Sequence, residues 1–253
     1  MNYENIILKK TNSLGIITLN RIDALNALNI KLLEELDNAI NNLEEDTNIN
    51  VIIITGEGNK AFSSGADIKE MVDLSSKIDP NSIDRLRQKY YLKLIQCSKP
   101  TIGLINGLAY GGGAILATCL DIRIGCEKTK FKFSASSHGK LHGTWCLSSQ
   151  IGLPLAKELL FSAREVESEE AHKIGLLNHI VPYSNLKNKG IELAYQISNN
   201  YPEIVQNMKK IMLENIGKTL INMYKHEINI RENCLDSIPI EEGFKTFLNK
   251  KDD

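Results

Sequence analysis

The chain has 253 residues, 42% of them hydrophobic and 24% charged, with 30 Lys and Arg against 31 Asp and Glu. A globular chain of this length buries a sizeable core, and a net charge of -1 argues against nucleic acid as the main partner. No apolar run approaches the roughly 20 residues that cross a bilayer, and Met1 to Lys10, with Glu4 and no apolar core before a cleavage site, reads as the start of a strand rather than a targeting segment.

Ile6 to Leu8 and Gly15 to Leu19 are short β-branched segments around the turn Thr11-Asn12-Ser13. Ile30, Leu33, Leu36, Ile40 and Leu43 recur at helical spacing, with Glu34, Glu35, Glu44 and Glu45 on other faces. Val51 to Ile54 is an apolar run ending in Thr55-Gly56, as in a strand buried on both sides. Ile102 to Ile105, stopped by Asn106-Gly107, and Ile122 to Ile124 read as two more strands. Strand, helix and strand in this order predict an α/β fold with crossover connections. After Pro182 strands give way to helices: Leu193, Ile197, Ile204, Met208, Ile211 and Met212 keep a helical interval, and Met223 to Leu248 is mostly helical. The expected organisation is a core over 1–190 and a helical region over 191–253. Glu227, Arg231 and Glu232 read as a solvated helix face.

Cys97, Cys119, Cys126, Cys146 and Cys234 show neither zinc nor two-residue redox spacing, so no metal is expected. They read as small core hydrophobes in a reducing, cytoplasmic setting. Cys146 lies in an unusual loop and is the alternative nucleophile, although the core reading is favoured for it as well.

Two glycine-containing loops carry most of the chemical information. One runs from Lys60 to Met71 and includes Gly65-Ala66-Asp67-Ile68; the other runs from Asn106 to Ala114 and includes Gly111-Gly112-Gly113. Each lies where a strand gives way to a helix, and N–H groups at a helix start have no internal partner and attract anionic oxygen. Three adjacent glycines let a ligand approach the main chain; a close helix-packing contact explains them equally well. A dinucleotide fingerprint is excluded, because Leu116 stands where its third glycine belongs. Gly217-Lys218-Thr219 lacks the leading glycine of a nucleotide loop, with Met212 in that place.

Taken in order, Asn20-Arg21, Ala24 to Leu28, Gly65 to Ile68, Asn106 to Gly113, Asp121-Ile122, Ala171 to Leu177 with Val181, and Glu242-Gly243 to Lys250 resemble the enoyl-CoA hydratase/isomerase (crotonase) superfamily over nearly the whole chain. The resemblance implies a spiral of ββα units and a C-terminal helical trimerisation region, in a homotrimer or a hexamer built as a dimer of trimers. It implies an acyl-CoA substrate, with coenzyme A entering as part of that substrate and no permanently bound cofactor. The N–H groups of Ala66 and Gly112 would bind the thioester oxygen and stabilise an enolate. Gly65, Gly111, Ile115 and Ala135 would also contact the substrate. Ala24, Asp67 and Ile68 would contact the nucleotide end of coenzyme A, and Lys250 its phosphates.

The hydratases of that superfamily use two glutamates. The first falls two residues after the triple glycine, where this chain has Ile115. The second falls four residues after a phenylalanine on the next strand, which is Ala135 counted from Phe131 and Ser137 counted from Phe133. Neither position offers a proton-transferring group. The polar stretch Ser134 to Cys146 contains His138, Lys140 and His142, of which His142 is the leading acid–base candidate. Both histidines are alternatively exposed loop residues or helix caps. Lys140 is expected as a solvated cation and Trp145 in the core or walling an acyl pocket. Asp67 and Asp121 are expected to cap or bond loops, and Glu70 to favour a helix start. Lys157 to Phe161 and Leu177 to Val181 look most like methylmalonyl-CoA decarboxylase-like members. The sequence therefore predicts an enolate-stabilising acyl-CoA lyase or isomerase that is not a glutamate-pair hydratase. The alternatives are an acyl-CoA decarboxylase or thioester hydrolase of the same superfamily, and a non-catalytic coenzyme A-binding or assembly protein.

Overall fold

The computed structural model describes residues 3–77, 79–236 and 238–248. The chain opens with an antiparallel hairpin, β1 (Ile6–Thr11) and β2 (Leu14–Leu19). Its turn places Asn12 at φ 50, a left-handed conformation that asparagine tolerates. A 3-10 turn over Ile22–Ala24 leads to α1 (Ile30–Glu45), where the Asn29 side chain accepts from Leu32 N at 2.9 Å and caps the first turn.

Three passes with the same pattern follow. The first is β3 (Val51–Gly56), β4 (Ala61–Ser63) and α2 (Ile68–Ser75), continued by α3 (Pro80–Gln96). The second is β5 (Thr101–Ile105), β6 (Leu108–Tyr110) and α4 (Gly112–Thr118). The third is β7 (Ile122–Gly125), β8 (Lys130–Lys132), a 3-10 turn over Ser136–His138, α5 (Thr144–Ile151) and α6 (Leu153–Ser162). In every pass the first strand joins a six-stranded sheet ordered β1-β2-β3-β5-β7 and closed by His179–Ile180 (β10), and the second joins a four-stranded sheet ordered β4-β6-β8 and closed by Glu165–Glu167 (β9). The remaining elements are β9 (Glu165–Glu167), α7 (Ser168–Lys173), β10 (His179–Ile180) and α8 (Tyr183–Ser198). The helices α9 (Pro202–Glu214), α10 (Leu220–Asn233), α11 (Ile240–Gly243) and α12 (Lys245–Leu248) end the described chain. This is the spiral of ββα units that the resemblance implied.

The large sheet is covered on both faces, which is why its central strands are apolar throughout. Ile52 and Ile54 pack with Leu32, Leu36 and Leu43 of α1, while Val51 and Ile53 pack with Leu186 and Ala194 of α8. The expected break at 190–191 thus lies inside α8. The chain forms two compact units, Met1–Gln206 and Asn207–Asp253. Among the described residues no helix is long and apolar enough to cross a membrane.

Two expectations are corrected by packing. Glu35 is buried, not turned outward, because its carboxylate accepts from Glu4 N and Asn5 N where the chain enters β1. Trp145 is 43% exposed and is not a core residue, because it sits in the first turn of α5 while Cys146 and Leu147 take the inward face.

The two sheets are pinned together by buried amides. Asn106 Oδ1 accepts from Gly56 N at 3.1 Å, and its Nδ2 donates to the carbonyls of Gly56, Gly58 and Ala61 at 2.9, 3.0 and 3.2 Å. Asn26 Nδ2 donates to Glu57 O and Ala61 O from the other side. Removing such an amide strands buried polar groups, each costing about 1–3 kcal/mol. Asn106→Ala is therefore expected to lower the unfolding free energy by roughly 2–4 kcal/mol, read as a lower urea midpoint at unchanged slope.

Candidate active site

The two glycine loops meet because each contains a short strand. β4 and β6 pair in parallel, with Ala61 opposite Leu108 and Ser63 opposite Ala109, so the residues that follow them emerge side by side. Three residues of strand give no readable period, and neither strand was expected from the sequence. Beyond β4, Leu28 N donates to Gly65 O at 2.7 Å and Asp67 N donates to Leu28 O at 3.3 Å. These bonds fix the backbone on either side of Ala66 and leave its own N–H without a protein acceptor among the described residues. Beyond β6, Gly111 N is tied to Lys132 O at 2.8 Å, and Gly112 starts α4. The first N–H of a helix has no intrahelical partner.

Glycine is required at Gly65. Gly65 has φ +95, and a Cβ there would lie 2.5 Å from Tyr110 O and 3.0 Å from Gly112 N. Any side chain would push the loops apart. A Cβ on Gly112 would occupy the space 3.5 Å from Ala66 N, 2.8 Å from Tyr91 Oη and 3.6 Å from Leu28 Cδ1. The Ala66 peptide, the Tyr91 hydroxyl and a Leu28 methyl thus crowd the Gly112 backbone. Gly111, at φ +47, faces Ser134 Oγ.

The other expected residues that the structure describes lie in the first unit. Ala24 ends the 3-10 turn and, with Asn20, Arg21, Ile22 and Asp23, lines a cleft of about 400 Å³. Its carbonyl accepts from Ser64 Oγ at 3.2 Å, joining that cleft to the Gly65 loop. Ile68 is 67% exposed and borders a second, more apolar cleft of about 280 Å³, with Met71, Val72, Ser75, Ile83 and Lys140. Asp67 caps α2 by accepting from Glu70 N at 3.1 Å and pairs with Arg21 Nη2 at 2.9 Å. Burial works to raise its carboxyl, but these partners hold it below the usual range. Asp121 likewise bonds a loop, accepting from Thr101 N and Oγ1 at 2.7 and 2.8 Å. Glu70 accepts from Ile30 N at 3.0 Å, so it caps α1. Lys250 lies outside the described residues.

Ile115 is buried in α4 and turns toward Gly143, whose Cβ position is 3.8 Å from its Cγ1. Ala135 is the start of the turn Ser136–His138, and its carbonyl accepts from His138 N and Lys140 N at 3.1 and 2.9 Å. His138 Nδ1 lies 2.8 Å from Ser134 O on an exposed turn. His142 is half-buried, with Gln88 Nε2 3.3 Å from its Nδ1 and Asp84 Oδ2 3.8 Å from its Nε2. The same Asp84 oxygen lies 3.2 Å from Lys140 Nζ, so Lys140 is an ion-pair partner and not a freely solvated cation. Cys146 is buried, and burial pushes its thiol upward against the Thr118 hydroxyl, the reverse of what a nucleophile needs.

Sequence reasoning missed α3. Asp84, Arg87, Gln88 and Tyr91 stand at helical spacing, and they bring a carboxylate, a buried guanidinium, an amide and a phenol to one side. The polar stripe at i, i+3, i+4 and i+7 was the available signal. Arg87 Nη2 lies 3.7 Å from Glu70 Oε2, and its Nε and Nη2 make no hydrogen bond. Among the described residues no group of three or more His, Cys, Asp or Glu is placed to hold a metal ion.

The two glycines predict different outcomes. Gly65→Ala meets backbone atoms at a left-handed residue and is expected to cost about 2 kcal/mol or more. Gly112→Ala adds a helix former beside a side-chain hydroxyl and is expected to cost less than about 1 kcal/mol. Urea unfolding of the two variants side by side checks the order.

A family model described as enoyl-CoA hydratase/isomerase matches residues 9–253. The chain is 33% identical to the short-chain-enoyl-CoA hydratase of Clostridium acetobutylicum, over 99% of this chain and 97% of that protein. It is 35% identical to the mitochondrial enoyl-CoA hydratase of Pongo abelii, over 99% of this chain and 87% of that one. The crystal structure of an enoyl-CoA hydratase from Bacillus anthracis superposes with a TM-score of 0.90 at 31% identity, covering 98% of this chain and 97% of that one. With its spiral of ββα passes and a match that runs almost end to end, this chain belongs to the enoyl-CoA hydratase/isomerase family.

Proposed function

We propose that the protein is an enzyme acting on an acyl-CoA thioester, whose carbonyl oxygen is received by the N–H groups of Ala66 and Gly112. The observation that carries this reading is the close approach of those two backbones, with the Ala66 N–H making no backbone hydrogen bond among the described residues. Removing a proton or a carboxylate next to a thioester carbonyl moves negative charge onto its oxygen. Donors already fixed in place stabilise that charge without rearranging, and the loss of one typically costs about 10²–10³ in rate. The hydratase names of the curated relatives support a thioester substrate. The clefts at Ala24 and at Ile68 flank the Gly65 loop and are the proposed seats of the coenzyme A and acyl portions.

The finer reading concerns the proton. Ile115 and Ala135 are proposed to stand where hydratases of the family carry their glutamates, so acid–base work falls to another group. His142 is the candidate, since Gln88 and Asp84 orient its ring from α3. Decarboxylation, thioester hydrolysis or double-bond isomerisation then fits better than glutamate-pair hydration.

The test is mass spectrometry of crotonyl-, 3-hydroxybutyryl-, 3-enoyl-, methylmalonyl- and 3-hydroxyisobutyryl-CoA incubated with the protein in deuterated water. Carbon dioxide, free coenzyme A or deuterium at the α-carbon is expected. Hydration of crotonyl-CoA at an enzymatic rate would overturn the reading of positions 115 and 135. Tight coenzyme A binding with every thioester unchanged would favour a non-catalytic binding protein. Ala66→Pro removes the N–H and is expected to lower turnover about 10²–10³-fold with coenzyme A binding retained. His142→Gln is expected to lower kcat by about 10²–10⁴-fold without weakening that binding.

We further propose that the C-terminal unit associates with other copies, as trimer or hexamer. Within it Met212, Leu220, Tyr224, Ile240, Phe244 and Phe247 are all more than half exposed, an apolar area that a monomer would leave in water. Light scattering is expected to give three or six times the chain mass, and Leu220→Glu with Phe244→Glu to reduce it.

A further inference from the structure

We propose that the guanidinium of Arg87 receives a carboxylate carried on the acyl portion of the substrate, so that the protein selects a carboxyacyl-CoA over a neutral acyl-CoA. The inference rests on the preceding reading, that an acyl-CoA binds with its acyl portion in the cleft at Ile68, and names the class of acyl group.

Arg87 lies on α3 and is 5% exposed. Among the described residues its guanidinium makes no hydrogen bond, and Nε and Nη2 are shut off from solvent as well. Glu70 Oε2, 3.7 Å from Nη2, stands near enough to balance charge but not to accept a hydrogen bond. That carboxylate is engaged with Ile30 N. A guanidinium keeps its charge and carries five N–H donors, and a buried donor without an acceptor forfeits the hydrogen bonds it had in water. Other buried cations of the chain are fully engaged: Arg123 donates to Leu176 O, Leu120 O and Gln150 Oε1, and Lys99 to Leu43 O and Asp46 O. Methionine would fill the place of Arg87 without the cost of orphaned donors. The missing acceptor therefore comes from outside the chain.

The position of Arg87 says what supplies it. Ile83, one turn earlier on α3, lines the cleft of about 280 Å³ at Ile68, and Met71, next to Glu70 on α2, lines it too. The lining is mainly hydrocarbon, and its one charged residue among those described is Lys140, already paired with Asp84. No residue of α2 is buried, so a ligand displaces little packing to reach the guanidinium from that side. An acyl chain laid against these apolar walls brings a carboxylate at its end to a planar fork of N–H donors. The two match in parallel hydrogen bonds, which are strong because both partners are charged.

The experiment is titration calorimetry of the whole protein, of Arg87→Met and of Arg87→Lys. The ligands are malonyl-, succinyl- and glutaryl-CoA, each paired with the neutral acyl-CoA of the same shape (isovaleryl-, 4-methylpentanoyl- and 5-methylhexanoyl-CoA), and free coenzyme A. The unaltered protein is expected to bind at least one carboxyacyl-CoA about 10–100-fold more tightly than its neutral counterpart. Arg87→Met is expected to bring that ratio to about one or below. Arg87→Lys keeps the charge without the fork and is expected to give an intermediate ratio, a reading that remains if the methionine variant does not fold. If the neutral acyl-CoAs bind the unaltered protein as tightly as the carboxyacyl ones, or if the ratio survives both substitutions, Arg87 receives no carboxylate and the acyl-CoA reading stands without it. If Arg87→Met weakens free coenzyme A as much as the carboxyacyl-CoA, the anion belongs to the coenzyme and the inference is wrong. If no acyl-CoA of either kind binds, both readings fall.

Discussion

The close approach of two backbones at Gly65 and Gly112 is the constraint on which the rest depends. Main chains come this near only where side chains are absent, and here a Cβ at Gly65 would overlap the Tyr110 carbonyl. The surrounding structure serves that contact. The parallel pairing of β4 with β6 delivers the two loops to one place. Asn26 and Asn106 fasten the turn from β3 into β4 with buried amide bonds. The bridge from Leu28 holds the Ala66 peptide from a third direction. The meeting of the two loops is therefore set by covalent geometry and hydrogen bonds rather than by mobile side chains.

A repeated supersecondary unit accounts for how a chain of this size builds such a site. Each pass places its first strand in the large sheet, where both faces are covered and the strand must be apolar. Its second strand goes to the smaller sheet, and the helix that follows begins at the junction. Stacking consecutive passes brings successive junctions side by side. The site is thus a product of the repeat, while the groups around it differ from pass to pass and give the protein its own chemistry.

Those groups come mainly from α3 and the turn after β8. Asp84 sits between Lys140 and His142, and Gln88 faces the other ring nitrogen of His142. The carboxylates nearest the glycine loops are otherwise engaged: Asp67 and Glu70 cap helices and pair with Arg21 and Arg87. Their hydrogen bonds fix the loop and leave them poorly suited to carry protons. This distribution of work is why a histidine, and not one of these acids, is the proposed proton carrier.

The sequence by itself determined the elements whose residues repeat with a period or form a long apolar run. The β3 and β5 runs, the stripe on α1 and the switch to helices after Pro182 were legible for that reason. The family resemblance of the ordered motifs pointed to Ala66 and Gly112, two residues whose backbones the structure brings close together. The structure alone decided what depends on packing between distant segments. The three-residue strands β4 and β6 owe their existence to partners and not to local preference. Glu35 is inside because two backbone N–H groups of another element meet it, and Trp145 is outside because its helix turned that way. Tyr91 shows the limit most clearly. Nothing local distinguishes it from Tyr90, and only the rotation of α3 in its packing brings one phenol beside Gly112 and leaves the other at the edge of the core.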